Sequence, residues 1–199
     1  MYIQISILFV VFSIQSILFT KSLRLKLSGI IITEYNRIWS EEDIEKLKRT
    51  SKSGELLILR GREIISPSGH LLIFGYYDEV KRGLSTQEIL DKVHRKGGIV
   101  IMAHPFRYGN SVGEDLERLR NRFVCVDAIE VFSGNQNRDE NEYGKRVWEA
   151  LGLVGVGGSD AHSIEMVGRC LTWFQNTIRN EDDLILEIKA GRCRPVIKG

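Results

Sequence analysis

Two apolar runs of this sequence stop at residues that commonly bind metal ions. Ile99–Met102 is followed by Ala-His104-Pro, and Leu153–Gly158 is followed by Ser-Asp160-Ala-His162. Imidazole and carboxylate groups are the ligands with which proteins hold Zn²⁺, Mn²⁺ or Fe²⁺. The chain has only 4 histidines, and most of them lie at or near such run ends. These positions predict a metal site.

The polar residues at the predicted strand ends form a larger set. In chain order they are Glu34, Tyr35, Glu63, His70, His104, Glu130, Asp160 and His162. The carboxyl ends of parallel strands share one face of a sheet or barrel, so side chains placed there converge even when they are far apart in sequence. Burying several such charges is costly unless a metal or an ion pair compensates them. His94, by contrast, lies within a predicted helix and is expected to be structural.

Strands and helices are predicted to alternate through most of the chain. Apolar and β-branched runs predict strands at 28–33, 56–60, 70–74, 99–104, 124–132, 153–158 and 170–174. Helical spacing with capping residues predicts helices at 40–53, 85–97, 114–122, 138–151 and 180–190. This alternation indicates an α/β fold of right-handed βα units on a parallel sheet or barrel.

The composition favours one domain in a reducing compartment. A chain of 199 residues with 43% apolar residues can fill a single core. Its net charge of +2 gives no strong signal for nucleic-acid binding. The three cysteines, Cys125, Cys170 and Cys193, lack CxxC spacing, which disfavours a disulfide framework. We therefore expect a cytoplasmic protein.

The N-terminal residues 3–19 are strongly apolar. Lys21, Arg24 and Lys26 follow this stretch, whereas a secretory signal places its positive charge first. A membrane-spanning helix needs about 20 apolar residues, and polar side chains interrupt this stretch. The preferred interpretation is a buried strand and helix, with 1–27 as an atypical first βα unit of a domain over 1–199. Membrane association through 3–19 and a misassigned start are the alternatives.

Five short motifs resemble those of the PHP (polymerase and histidinol phosphatase) family. They are Ile32-Thr-Glu-Tyr-Asn36 in place of TDHN, Gly61-Arg-Glu63 as GxE, His70-Leu-Leu as H-[IVL]-L, Ala103-His-Pro105, and Gly158-Ser-Asp-Ala-His162 as GSDxH. The resemblance implies a distorted (β/α)7 barrel and a metal-dependent phosphoesterase. The short chain and its Ala-His-Pro-Phe-Arg run are similar to the small stand-alone members.

The resemblance implies three neighbouring metals, of which this chain matches one site in full. That site takes Glu63, His70 and His104. The second would take Glu63 and Asp160 with an HxH pair, at whose positions Ser6 and Leu8 stand. The third keeps only His162 because Tyr35 stands where the TDH histidine belongs. We therefore expect one divalent ion, Zn²⁺, Mn²⁺ or Fe²⁺, rather than three.

Two functions follow from this incomplete ligand set. The first is hydrolysis of a small phosphorylated substrate or nucleotide at reduced rate, with Asp160 and His162 in the catalytic set. Arg107 is expected to bind the substrate phosphate in bidentate fashion, with Arg60 or Arg62 assisting. The alternative is an inactive remnant that serves as a metal- or ligand-binding module.

Overall fold

The computed structural model describes residues 3–9, 15–35, 37–51 and 56–198. The strands in this part of the chain are β1 (Ile3–Phe9), β2 (Gly29–Thr33), β3 (Leu57–Arg60), β4 (Arg62–Ser66), β5 (Gly69–Phe74), β6 (Ile99–Met102), β7 (Ala128–Ser133), β8 (Gly155–Gly158), β9 (Cys170–Phe174) and β10 (Cys193–Ile197). The helices are α1 (Gln15–Arg24), α2 (Glu41–Ser51), α3 (Thr86–Arg95), α4 (Leu116–Phe123), α5 (Arg138–Leu151) and α6 (Glu181–Lys189).

Local sequence signals account for where several helices begin and end. Ser85 and Asn137 each form a capping box with the glutamate three residues on, at the starts of α3 and α5. Such a pair satisfies backbone N–H groups that the first helical turn leaves open. Helix α5 ends before Gly152, whose φ of 63° suits a left-handed cap. The structure confirms the predicted bounds of α5 and of β9.

The described strands form one mixed sheet. Its main path is β10-β9-β1-β8-β7-β6-β5-β4, and β2 pairs with β1 and with β3. Parallel pairs join β1 to β2 and β8, β2 to β3, and β7 to β6 and β8. The carboxyl ends of these parallel strands therefore lie on one side of the sheet, where Tyr35, His104 and Asp160 follow them.

Two antiparallel parts correct the expectation of a wholly parallel arrangement. Strand β5 pairs antiparallel with β4 and β6, and β9 pairs antiparallel with β1 and β10. Only Pro67 and Ser68 separate β4 from β5, whereas a parallel pair needs a crossover of a dozen or more residues. The fold of the described residues is mixed α/β, with parallel and antiparallel strand pairs in one sheet.

The apolar N-terminal stretch contains a strand and the start of a helix. Strand β1 lies inside the sheet between β2, β8 and β9, and α1 begins at Gln15. The intervening residues 10–14 fall outside the described part. No helix among the described residues has both the length and the apolar character needed to cross a bilayer.

Buried apolar side chains pack in clusters on the faces of this sheet. One cluster joins α3, α4 and α5 to β5, β6 and β7, and includes Phe106 and Phe123, which are both fully buried. Another packs α2 against β2 and β3 around Trp39. Burial of apolar area at about 25 cal/mol per Å² is what holds these helices on the sheet. The strand ends are thereby held in fixed positions.

Candidate metal centre and adjoining cleft

Glu63 and His70 meet on one face of the β4–β5 hairpin. Glu63 is paired with Leu72, and His70 with Ile65. Directly paired residues of an antiparallel ladder share a face, as do residues two apart on a strand, so the glutamate and the imidazole point to the same side. His70 Nδ1 is hydrogen-bonded to Glu63 Oε1. Glu63 is buried at 3% exposure, while His70 is partly exposed.

His104 reaches the same carboxylate from the end of β6. Its Nε2 lies 3.5 Å from Glu63 Oε1, and its ring centroid lies 4.9 Å from that of His70. The backbone of His104 has φ 28°, a positive value that a residue with a side chain seldom adopts. Its N–H donates to Glu130 Oε2 at 2.7 Å, and this bond helps to hold the residue there.

The ligand atoms of Glu63, His70 and His104 lie within 4.8 Å of one another, as a shared ion requires. We call these three residues the Glu63 cluster. His104 Nε2 is buried and has no hydrogen-bond partner in the described structure. An imidazole nitrogen without a partner is costly to bury, and a bound cation would satisfy it. The donor set of two imidazoles and one carboxylate therefore fits a divalent metal.

The pKa values of Glu63 and of the neighbouring Glu130 are shifted in opposite directions. Burial raises the pKa of Glu63, but the adjacent imidazoles of His104 and His70 outweigh burial and lower that pKa to about 2. Glu63 is therefore a carboxylate at neutral pH. For Glu130, burial and the nearby Asp160 carboxylate raise the pKa well above its usual range. A small cavity of about 10 Å³ lies between Glu63, His104, Glu130 and Asp160.

A second group forms around Asp160, which follows β8. Arg107 Nη1 donates to Asp160 Oδ2 at 2.8 Å, and Asn135 Nδ2 donates to the same oxygen at 3.1 Å. We call Asp160, Arg107 and Asn135 the Asp160 cluster. Asp160 has φ 41°, so both His104 and Asp160 hold positive φ values two residues after the end of a strand. Such backbone strain is concentrated at functional sites in folded proteins.

An open cleft of about 270 Å³ joins the two clusters. It is lined by Tyr35, Glu63, Ile65, His70, Arg107, Asp160 and His162. The structure thus brings the predicted residues Glu63, His70, Arg107, Asp160 and His162 to one cleft, with His104 behind Glu63. His162 is about half exposed, and its Nδ1 lies 2.9 Å from the backbone oxygen of Asp160.

Three other sequence-selected residues lie elsewhere. Arg62 is next to Glu63 on β4 and so points to the opposite face, where its Nη1 donates to the carbonyl of Asp78 at 2.9 Å. This position does not suit the expected contact with substrate. Arg60 is bonded to the carbonyl of Trp39 and to Glu41. His94 lies in α3 and pairs with Asp127 at 2.8 Å, as a structural histidine would.

The structure also places the three positions at which the resemblance expects histidines, namely Ser6, Leu8 and Tyr35. Ser6 and Leu8 lie on β1, in register with Ile30 and Ile32 of β2. Tyr35 forms an isolated parallel bridge with Glu63 and lines the cleft with 47% of its surface exposed. A phenol therefore stands beside the Glu63 cluster at the position where the resemblance expects a third-site histidine.

Asn135 and the role of Glu130 were not apparent from the sequence. Asn135 comes two residues after the end of β7, which is the kind of position that selected His104 and Asp160. Applying the strand-end rule to amides as well as to ionisable groups would have found it. Glu130 is at a strand position within β7, and only the structure shows its bond to the backbone of His104.

Comparison with known proteins finds one family match over part of the chain and two similar archaeal proteins. Residues 138–193 match the family described as PHP-associated. Two uncharacterized proteins of Methanocaldococcus jannaschii are similar: MJ1587, at 27% identity over 52% of this chain and 57% of its own, and MJ0417, at 29% identity over 62% of this chain and 54% of its own. The matched region spans just over half the length of these curated relatives.

Solved structures share the fold. PsfC from Pseudomonas syringae PB-5123 has a TM-score of 0.73 at 17% identity, covering 100% of this chain and 92% of its own. A candidate metal-dependent phosphoesterase from Bifidobacterium adolescentis has a TM-score of 0.58 at 16% identity, covering 94% and 95%. The match over 138–193 is to the family that the sequence motifs resemble, and the solved structures show a shared fold. An amidohydrolase from Chromobacterium violaceum, solved with sulfate and no metal, has a TM-score of 0.59 at 12% identity over 79% of this chain and 87% of its own.

Proposed function

We propose that this chain is a PHP-family protein that hydrolyses phosphate esters with one divalent cation held by Glu63, His70 and His104. The observation that carries the proposal is that the ligand atoms of these three side chains lie close together, and that one of them, His104 Nε2, is buried without a hydrogen-bond partner. A cation bound there supplies Lewis-acid polarisation of a phosphoryl oxygen and a more acidic water. Similarity to a candidate metal-dependent phosphoesterase and to an amidohydrolase supports a hydrolase of this kind.

The cleft suits a small phosphorylated substrate. Its volume of about 270 Å³ is enough for a phosphate and a modest alcohol group. Arg107 lines this cleft together with Glu63 and His70, and a guanidinium binds phosphate oxygens through paired N–H groups. His162, partly exposed on the same cleft, has an imidazole that can move a proton at the substrate.

The strand contacts support the finer proposal that the fold is a distorted barrel. Strand β1 pairs with both β2 and β8. Beyond β2, the backbone oxygens of Ile32 and Glu34 accept hydrogen bonds from Gly61 and Glu63 at the start of β4. These contacts link the first strands to the β4–β8 series and support a ring of strands around the cleft floor.

A second candidate function is a metal- or ligand-binding module without catalysis. Ser6 and Leu8 stand at the HxH positions, and Asp160 is paired with Arg107. A site that holds one cation clamps a phosphate at fewer points than a site with several. The two proposals share the same residues and differ only in whether a bound ester is cleaved.

Two measurements separate these functions. The purified protein is assayed for metal content, and then for p-nitrophenyl phosphate hydrolysis with added Mn²⁺ or Zn²⁺. The enzyme is supported if metal-dependent turnover is lost in His104→Ala and kept in His94→Ala, since His94 lies away from the cluster. Metal binding without turnover on aryl, nucleoside or sugar phosphates would support the binding module. If neither metal binding nor turnover is found, the enzyme and the metal-binding module both fail.

A further inference from the structure

We propose that Asp160, together with Asn135, positions Arg107 as the anion-binding group of the cleft and does not serve as a metal ligand. The inference deepens the proposed function, on which the identity of the anion as a phosphate group rests. It departs from the role that the resemblance implies for Asp160, and it gives Asn135 a role that no motif indicates.

The contacts of Asp160 are those of a partner for a guanidinium. Its Oδ2 accepts from Arg107 at 2.8 Å and from Asn135 at 3.1 Å. The Asp160 side chain is 5% exposed and that of Arg107 is 15% exposed, so the ion pair is largely shielded from water. Each charge compensates the other, because either one buried alone would be costly. The amide adds a second donor that fixes the carboxylate.

Asp160 also lies outside the set of side chains that converge as metal ligands. Among the described residues, the group whose ligand atoms come together is Glu63, His70 and His104, without Asp160. The partners that a second metal would need are missing, since Ser6 and Leu8 stand at the HxH positions. A cation at Asp160 Oδ2 would have to displace the guanidinium or lie beside its positive charge. The residues around Asp160 therefore do not fit a second metal.

The arrangement leaves Arg107 able to bind an anion. A guanidinium has five N–H donors in a rigid fork, and the bond to Asp160 uses Nη1. Arg107 lines the same cleft as Glu63 and His70, so a phosphate there would lie between the guanidinium and the Glu63 cluster. Asp160 fixes one end of the fork, which reduces the side-chain entropy lost when the anion binds. The positively charged guanidinium of Arg107 thus takes the place of a second metal.

The test measures metal and anion binding separately in four variants. These are Asp160→Ala, Asp160→Asn, Asn135→Ala and Arg107→Met, with the double variant Asp160→Ala/Arg107→Met to test coupling. Zn²⁺ affinity is measured by competition with a chelator, and inorganic phosphate affinity by calorimetry on the metal-free and the Zn²⁺-loaded protein. Thermal unfolding checks that each variant folds, and Asp160→Asn replaces Asp160→Ala if the latter does not.

We expect Zn²⁺ affinity to stay within about two-fold of the unmodified protein in all four variants, because the ion's ligands are intact. Phosphate affinity should fall about 10-fold in Arg107→Met and Asp160→Ala and about 3-fold in Asn135→Ala, with a larger loss for a charged hydrogen bond than for a neutral one. The double variant should bind phosphate no more weakly than Arg107→Met, since both substitutions disrupt the same pair of Asp160 and Arg107.

Two results would overturn the proposal. The first is a loss of Zn²⁺ affinity of 10-fold or more in both Asp160 variants but not in Arg107→Met, which would make Asp160 a metal ligand. The second is phosphate binding that is absent in the unmodified protein or unchanged in Arg107→Met. Because the metal-free arm does not require hydrolysis, a failure of the phosphoesterase proposal would leave this result interpretable on its own.

Discussion

The two sides of the cleft each contain a buried carboxylate, but the carboxylates have different partners. Glu63 lies between two imidazoles, and Asp160 lies between a guanidinium and an amide. An imidazole can offer a lone pair, whereas a guanidinium and an amide N–H can only donate. The Glu63 cluster therefore suits a cation, and the Asp160 cluster suits an anion held by Arg107. The type of partner, not the carboxylate itself, decides what each side can bind.

The two clusters share one backbone feature, a residue with positive φ shortly after a strand. His104 follows β6 with φ 28°, and Asp160 follows β8 with φ 41°. In each case the chain leaves a buried strand through a conformation that costs about 1–3 kcal/mol, so the surrounding structure must enforce it. Glu130 binds the N–H of His104, and Gly134 packs against the backbone of Ser159 next to Asp160. The supports come from β7 itself in the first case and from the residue that follows it in the second.

The largest expected effect is on the Glu63 cluster. His104→Ala should lower Zn²⁺ affinity by about 100-fold or more, because one of three ligands is lost and the cation keeps only Glu63 and His70. Chelator competition measures this affinity. His94→Ala, at a histidine bonded to Asp127 on another part of the surface, is the matched control and should bind Zn²⁺ normally. Equal losses in the two variants would show that the ligands have been assigned wrongly.

Substitution of Glu130 tests whether its hydrogen bond to the backbone of His104 matters as much for metal binding as a ligand does. Glu130→Leu leaves the buried N–H of His104 without its acceptor, at a cost of about 1–3 kcal/mol in stability. A misplaced His104 should reduce Zn²⁺ affinity by about 10-fold, the size typical of outer-shell changes. Glu130→Gln keeps an acceptor oxygen and should bind Zn²⁺ nearly as well as the unmodified protein. Similar losses in both variants would mean that the charge of Glu130 matters, and not its hydrogen bond.

The sequence predicted the Glu63 cluster better than the Asp160 cluster, and the reason is physical. Glu63, His70 and His104 share one chemistry, that of metal ligands, which residue types and strand-end positions reveal. The pairing of Arg107 with Asp160 depends on the path of the chain after β6, which no local pattern specifies. Asn135 contributes a neutral amide, which a search for ionisable groups overlooks. The charge of Arg62 predicts a contact with substrate, but strand alternation turns its side chain to the face opposite Glu63.

The fold shows the same division between local and non-local information. Helix α5 has a capping box and a terminal glycine, and its predicted bounds are confirmed. Strand β4 follows β3 after a single residue, Gly61, so apolar periodicity does not separate the two. Strand β10 contains Pro195, which weakens its strand pattern although it pairs at the sheet edge with β9. Which strands pair antiparallel is decided by contacts distant in sequence.

A glycine offers a selective change on the Asp160 side. A Cβ on Gly134 would lie 2.3 Å from the carbonyl oxygen of Ser159, so Gly134→Ala must move the chain beside Asn135 and Asp160. We expect a stability loss of about 1–3 kcal/mol and a phosphate affinity reduced about 5-fold, with Zn²⁺ affinity little changed. Gly98→Ala is the control, since its Cβ would lie 2.4 Å from the carbonyl of Phe74 at the other end of β6. It should destabilise the fold without a selective loss of phosphate binding.

The smallest effect is expected at a second carboxylate–guanidinium pair, Glu187 and Arg192, which does not line the cleft. Arg192 Nη2 lies 2.6 Å from Glu187 Oε1, and Asn176 donates to both Glu187 oxygens, much as Arg107 and Asn135 bind Asp160. The hydrogen bonds from Arg192, and those from Asn176, lower the pKa of Glu187. A carboxyl with a lowered folded-state pKa adds stability above its unfolded value of 4.5, and this contribution is lost as the pH falls through the folded value.

Glu187→Gln should therefore lower Tm by about 3 °C at pH 7, with the difference from the unmodified protein shrinking as the pH falls below about 4, where protonation removes the same charge. Melting curves from pH 3 to pH 8 measure this. Zn²⁺ and phosphate affinity should not change, because Glu187 lines neither the cleft nor the Glu63 cluster. A pair of the same chemistry would then stabilise the fold at Glu187 and bind a ligand at Asp160. If Glu187→Gln weakened phosphate binding as much as Asp160→Ala does, the loss at Asp160 would reflect general destabilisation, and the contrast between the two pairs would fail.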